Sequence, residues 1–348
     1  MTLRRGRRQR SPGPDQVQYP TCSDIDSVND GVKIGLHLPL MEFRGEGQSL
    51  SRVMDAVDAA RDSGLAAVSA NDHLVFSTPW LDGLTALAAA IERSGEMTLA
   101  TTISLAAIRG PVPLAKTLTA LDLLSDGRLI AGVGPGSSQR DFDALGISFD
   151  ERWPRFEESV VSLRALLRGE RPSDSRFFSI PDQELAPLSY QEGGIPIWIG
   201  SWGSRAGLAR VARLADGWLA SAYNTSPERF ATARESLARK LSDRGRDPAG
   251  FPNALVTMWT WVSEDRADAD HMLGDILAPL LRRSPDELRD QLCIGSPEHC
   301  AQVLSSYARA GCEWVQIWPL GEERRQIERF AADVMPSIES DTHVGKHA

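Results

Sequence analysis

Three short stretches hold residue types able to do chemistry. Asn71-Asp72-His73 sets a carboxylate beside an imidazole. Imidazole is the side chain most easily tuned across neutral pH, so His73 could donate a proton or stack on a ring. The same pair could also brace a rim by hydrogen bonds alone. Gly200, Ser201, Trp202, Gly203, Ser204 and Arg205 combine small residues, two hydroxyls and a guanidinium. Small residues let backbone amides approach a ligand, and a helix starting there would favour an anion. Arg205 would add a charge-assisted bond. A phosphate cradle and a plain strand-to-helix turn with Ser204 as N-cap fit this stretch equally. Gly134-Pro135-Gly136-Ser137-Ser138 is a second loop of small residues, either a surface for a flat ring or a tight turn.

Other chemistries lack their residues. The chain has no Walker P-loop, HExxH, GxSxG or EF-hand pattern. Cys22, Cys293, Cys300 and Cys312 form no CxxC pair and have no histidine at ligand spacing, so reduced thiols and no metal are expected. The lysines are Lys33, Lys116, Lys240 and Lys346, none at a predicted strand's C-terminal end, which argues against Schiff-base chemistry of the aldolase kind. A net charge of -9 argues against nucleic acid as the main partner. No run of eighteen apolar residues predicts a membrane span. Five arginines fall in the first ten residues, but Ser11-Pro12-Gly13-Pro14-Asp15 follows where a signal peptide needs an apolar stretch. Residues 1–30 read as a disordered basic tail, residues 31–340 as one domain, and the location as cytoplasmic.

The elements that must position these stretches follow from periodicity. Strands are expected at 32–38, 65–70, 97–105, 128–133, 196–199, 217–220, 254–262 and 314–318. Helices are expected at 49–63 with Gly64 as C-cap, and at 83–93, 112–124, 151–167, 204–214, 227–242 and 297–310. Helical pieces fall between 266 and 292, and a C-terminal helix at 324–338. Residues 168–194 lack a periodic run and read as a long excursion, of the kind that often forms a lid or binding loop. Eight strands alternating with helices close into a (β/α)8 TIM barrel. A doubly wound sheet would need a glycine-rich turn after the first strand, where His37-Leu38-Pro39-Leu40 stands instead.

In such a barrel the chemistry sits at the C-terminal strand ends. The three stretches all fall there. Phe43, Phe76, Trp80, Trp202, Tyr223 and Trp318 lie near the same mouth, and a few should line an apolar pocket for a planar ring and an organic substrate. His37 lies inside an apolar run, which favours a structural role.

Residues 108–137, IRGPVPLAKTLTALDLLSDGRLIAGVGPGS, resemble the bacterial luciferase-like monooxygenases, with their Arg-x-Pro turn, LDxLSxGR helix end and GVGxG loop. AVSANDHL at 67–74, FDALGISFDERWPRF at 142–156, IPIWIG at 195–200 with RVARLADGW at 210–218, and the unit at 294–319 are similar to further family segments. Together they span about 32–338. The resemblance implies a barrel that binds FMN or the deazaflavin coenzyme F420 at its mouth. It implies a non-prolyl cis peptide at Thr102–Ile103 under the ring. It places the ring near His73, Thr102, Ile103, Gly134, Gly136 and Ser137. The phosphate falls on Gly200, Ser201, Trp202, Gly203, Ser204 and Arg205, and the substrate near Phe43, Phe76, Trp80 and Trp318.

DHLVF at 72–76 and the ending IWPLGEERRQIERFAADVMP look like the F420 branch. That branch implies hydride transfer to or from a small organic substrate, with His73 as proton donor and Asp72 setting its tautomer. FMN would instead imply an oxygen-using monooxygenase fed by a partner reductase, and a third alternative is a non-catalytic flavin-binding barrel. Ser137 stands where relatives that oxidise glucose 6-phosphate carry Glu, which speaks against sugar-phosphate oxidation. Relatives often dimerise, so a homodimer is expected. Specificity should reside in residues 138–150, 168–194 and 263–292.

Overall fold

Short apolar runs become parallel strands here because both of their faces are buried, one against the barrel axis and one against outer helices. The computed structural model describes residues 31–180, 182 and 185–339. The strands are β1 (Lys33–His37), β2 (Ala67–Ala70), β3 (Thr98–Thr101), β4 (Ser104–Leu105), β5 (Leu129–Gly134), β6 (Ile197–Gly200), β7 (Gly217–Ser221), β8 (Asn253–Val262), β9 (Cys293–Gly295) and β10 (Trp314–Pro319). They pair in parallel in the order β10-β1-β2-β3-β5-β6-β7-β8, and β8 pairs with β10 to close the ring. β4 continues the line of β3 along β5, so eight staves result, as expected of a TIM barrel. The expected tail at 1–30, with Cys22, lies outside the described residues. Among those residues, no helix is long and apolar enough to cross a membrane.

The helices form where capping and periodicity predict. Leu50–Asp62 starts with the Ser49 side chain accepting from the Arg52 amide and buries Val53, Ala56, Val57 and Ala60 on one face. Gly64 ends it at φ +75°, a backbone state that only glycine adopts cheaply.

Four features depart from expectation. The strand expected at 97–105 is broken in two, although the Thr102–Ile103 bond between the halves is cis as the resemblance implied. β9 is an additional short strand along the upper end of β8. A short helix, Gln139–Asp143, follows the β5 loop. The C-terminal helix runs as Glu323–Arg329 and then widens into a π-helical turn at Phe330–Val334.

The described part of the excursion at 168–194 packs on two outer helices. Glu158 of the helix Arg152–Leu167 accepts from the amides of Arg176 and Phe177. The Asp122 carboxylate of the helix Pro111–Leu124 accepts from the amides of Tyr190 and Gln191. These contacts tie the described part of the excursion to the outer helices.

One irregularity sets which side chains reach the mouth. Leu255 pairs with Val315 and Met258 with Ile317, so Val256 and Thr257 together face Gln316. This is a β-bulge. Thr257 takes φ +57°, an unusual state for a β-branched residue. Before the bulge, Ala254 and Val256 pack in the barrel interior with Ala100, Ile130, Trp198 and Leu219. After it, Trp259 faces inward and stacks on Trp318. The interior is otherwise filled. Gly35 is a glycine because a Cβ there would lie 2.2 Å from the Gln316 side chain. The axial space left, beside Thr102 and Gln316, is about 20 Å³.

Candidate active site

The loop after β2 places Asp72 and His73 side by side, yet they face different partners. Asp72 is buried and receives both arms of Arg109, at 2.6 and 2.7 Å, together with the Leu105 amide. Arg109 also reaches Asp82, which caps the helix Gly83–Ala90 by accepting from the Thr85 amide. This bidentate bridge ties the β2, β3 and helix segments together. The expectation that Asp72 sets the tautomer of His73 is therefore corrected. Its carboxylate is occupied by Arg109 and does not touch the imidazole.

The partner of His73 is Asp141, on the helix Gln139–Asp143. The Nδ1–H of His73 donates to Asp141 Oδ2 at 2.7 Å, and Asp141 Oδ1 accepts from the amides of Leu74 and Val75 at 2.8 and 2.7 Å. Burial works to raise the Asp141 pKa, but the bonds from His73 and Val75 outweigh it and hold the carboxyl below its ordinary range. With Nδ1 fixed, Nε2 is the atom left for a ligand. Sequence reasoning missed Asp141, although an acidic residue beside the small-residue loop of β5 was a usable signal.

Aromatic rings surround His73. Its ring lies 4.6 Å from Phe76 and 4.7 Å from Trp80, and Trp80 meets Trp318 edge-on at 5.7 Å. Trp318 is sandwiched between His37 at 3.5 Å and Trp259 at 3.9 Å, and Phe43 meets Trp259 edge-on at 5.5 Å. The four expected pocket residues Phe43, Phe76, Trp80 and Trp318 thus form one continuous cluster. Trp259 is its unforeseen fifth member. His37 is a structural residue, as its apolar surroundings suggested. Its Nδ1–H donates to the Leu38 carbonyl and its Nε2 accepts from the Asn71 amide, and burial lowers its pKa to about 3.

Ile103 explains two of the glycines. A Cβ at Gly134 would lie 2.3 Å from Ile103 Cδ1, and one at Gly200 would lie 3.1 Å from Ile103 Cγ2. The room at Gly134 and Gly200 is thus taken by Ile103. Gly136 needs its glycine for φ +91°, with Ser137 following on the rim. Thr102 Oγ1 and Ser104 Oγ, on either side of the cis segment, are buried without a partner among the described residues.

The loop after β6 is the expected strand-to-helix turn. Ser204 is the N-cap of Arg205–Leu214 and its Oγ accepts from the Gly207 amide at 3.1 Å. Its hydroxyl proton remains available, as do the first helical amides. Gly203 takes φ +85°, Ser201 is buried, and Arg205 is exposed with no ion pair among the described residues. Trp202 is 59% exposed and stands outside the aromatic cluster. A free guanidinium, spare amides and two hydroxyls at one helix start fit a phosphate.

The family model for luciferase-like monooxygenases matches residues 34–284. The chain belongs to that family. Within it, 173 residues are 30% identical to the 5,10-methylenetetrahydromethanopterin reductase of Methanolobus tindarius, covering 49% of this chain and 51% of the relative. The chain spans about half the length of the curated relatives it matches. An F420-dependent secondary alcohol dehydrogenase, solved with an F420-acetone adduct, shares the fold at TM-score 0.76 and 16% identity, over 89% of this chain and all of that one. The FMN-bound oxygenating component of 3,6-diketocamphane monooxygenase from Pseudomonas putida shares it at TM-score 0.69 and 15% identity, over 89% and 99%. The luciferase-like fold is thus common to F420 and FMN proteins.

Proposed function

We propose that this luciferase-like barrel is an oxidoreductase that uses coenzyme F420 for hydride transfer to or from a small organic substrate, with His73 moving the accompanying proton. The observation that carries the reading is the buried Asp141 carboxylate on His73 Nδ1, which leaves Nε2 as the one reactive nitrogen. When bound, the deazaflavin supplies or accepts the hydride. The chain does the rest. Ile103, which fills the room at Gly134 and Gly200, would back the ring together with Thr102, Gly136 and Ser137, and Ser201, Gly203, Ser204 and Arg205 would hold the phosphate. His73 Nε2 gives a proton to a carbonyl oxygen as it becomes a hydroxyl, or takes that proton in the reverse direction. Asp141 keeps Nδ1 protonated throughout and offsets the charge of the imidazolium. The cluster around Trp80 and Trp318 excludes water from the reacting atoms.

In this reading Asp72 supports the rim through Arg109. A separate F420 reductase, a homodimer and a cytoplasmic location belong to the same proposal. The test is titration of the apoprotein with F420 and, separately, FMN, followed by fluorescence quenching. Micromolar binding of F420 with FMN ignored is expected. Preference for FMN would move the assignment to a monooxygenase with a partner reductase, and binding of neither by folded protein would end the redox reading.

A further inference from the structure

Thr98, Ala100 and Thr102 of the third stave line the axial space, and so do Trp314 and Gln316 of β10. Their spacing of two is that of one face of a strand, here the face turned to the barrel axis. The other walls are apolar side chains such as Ile130, Trp198 and Leu219, apart from Thr101, whose hydroxyl already donates to the Gly132 carbonyl at 2.7 Å. No residue lining the space is charged.

Gln316 and Thr102 are each only 3% exposed, and neither Gln316 Oε1 nor Thr102 Oγ1 has a hydrogen-bond partner among the described residues. The Gln316 amide lies over Gly35, where a Cβ would collide with it, so the barrel makes room for a carboxamide at its centre. An amide oxygen and a hydroxyl buried without partners are costly. A cavity of about 20 Å³ fits one water, which needs about 10–15 Å³ and at least two polar partners, and is too small for an organic ligand. An ion would find no counter-charge among the lining residues.

We infer that the barrel axis binds one structural water, which donates to Gln316 Oε1 and accepts from the Thr102 hydroxyl. Thr98 gives it a third polar wall. β3 and β10 are separated in the ring by β2 and β1, so the water joins staves that share no ladder bond. It joins them just below Ile103 and Trp318, on the side away from the mouth. The inference needs neither a cofactor nor a proton role for His73.

Crystals of the full chain, at a resolution that shows ordered water, should carry one peak about 2.7–3.2 Å from both Gln316 Oε1 and Thr102 Oγ1. Gln316→Met keeps the length, removes the amide and should abolish the peak. Thr102→Ser keeps the hydroxyl and should retain it. Denaturant midpoints give a second reading. Thr102→Val should shift the midpoint less in the Gln316→Met background than in the wild type, because the water that couples the two positions is already gone. No peak, a peak bonded to only one of the two residues, or midpoint shifts that simply add would overturn the inference. The wild-type crystal decides alone where a variant fails to fold.

Discussion

His73 and Asp141 stand 68 positions apart in sequence and 2.7 Å apart in space, Nδ1 to Oδ2. The carboxylate also holds the amides of Leu74 and Val75, so one buried group fixes both the imidazole and the backbone that carries it. Asp141→Asn should keep the shape and remove the charge. We expect kcat to fall by about 10²-fold, within the usual range for a general acid–base group. KM should change less, and the pH profile should shift toward lower pH as the imidazolium loses its counter-charge. A variant with an unchanged pH profile would assign Asp141 to structure alone. The folded pKa of Asp141 is depressed, so its contribution to stability is present above the ordinary carboxylate range, about pH 4, and is lost as pH falls below it.

His37 should make the fold acid-sensitive at milder pH. Its folded pKa is about 3 against 6.5 in the open chain. The unfolded chain therefore takes up a proton below about pH 6.5 that the native state refuses. The stability from this group is full above that pH and declines by about 1.4 kcal/mol per pH unit on the way down. Denaturant midpoints of wild type and His37→Gln, taken between pH 7 and pH 5, should show a shallower pH slope in the variant. Parallel slopes would show that His37 titrates normally.

Two interior glycines of β5 should differ in tolerance. A Cβ at Gly132 would lie 1.9 Å from the carbonyl oxygen of Thr101, which is backbone and cannot step aside. At Gly134 the obstacle is the far end of the Ile103 side chain. Gly134→Ala should cost about 1–3 kcal/mol and be partly rescued by Ile103→Ala, whereas Gly132→Ala should cost more and resist that rescue. Thermal melts of the single and double variants decide this.

Removing Arg109 should do more harm than an ordinary surface change. Arg109→Leu leaves the buried Asp72 carboxylate facing only the Leu105 amide. The expected loss is about 3–5 kcal/mol, read as a lowered denaturation midpoint. Asp72→Asn in the same background should recover part of it. Independent, additive losses would show that the pair is not coupled.

The alternation of strand and helix was plain in the sequence, because parallel strands with helices outside repeat a simple apolar rhythm. The aromatic cluster was legible for the same reason: Phe43, Phe76, Trp80 and Trp318 all follow or end staves. Asp141 was hidden because its partner lies on another loop, and only barrel closure brings the two together. Gly134 and Gly200 were ambiguous because a glycine that admits a ligand and one that admits Ile103 read alike. Trp259 escaped notice because regular alternation from Ala254 would turn it outward, and nothing in the letters around Thr257 announces the bulge.

That bulge gives β8 one residue more than its neighbour β10 requires. In a regular strand, a one-residue deletion turns every later side chain to the opposite face. At position 257 the same deletion would cancel the surplus. Ala254, Val256 and Trp259 would still point inward, and the main loss would be the Thr257 hydroxyl contact with Ser221. The gene therefore has, at this codon, a place where a lost triplet would be absorbed rather than passed on to the floor of the mouth.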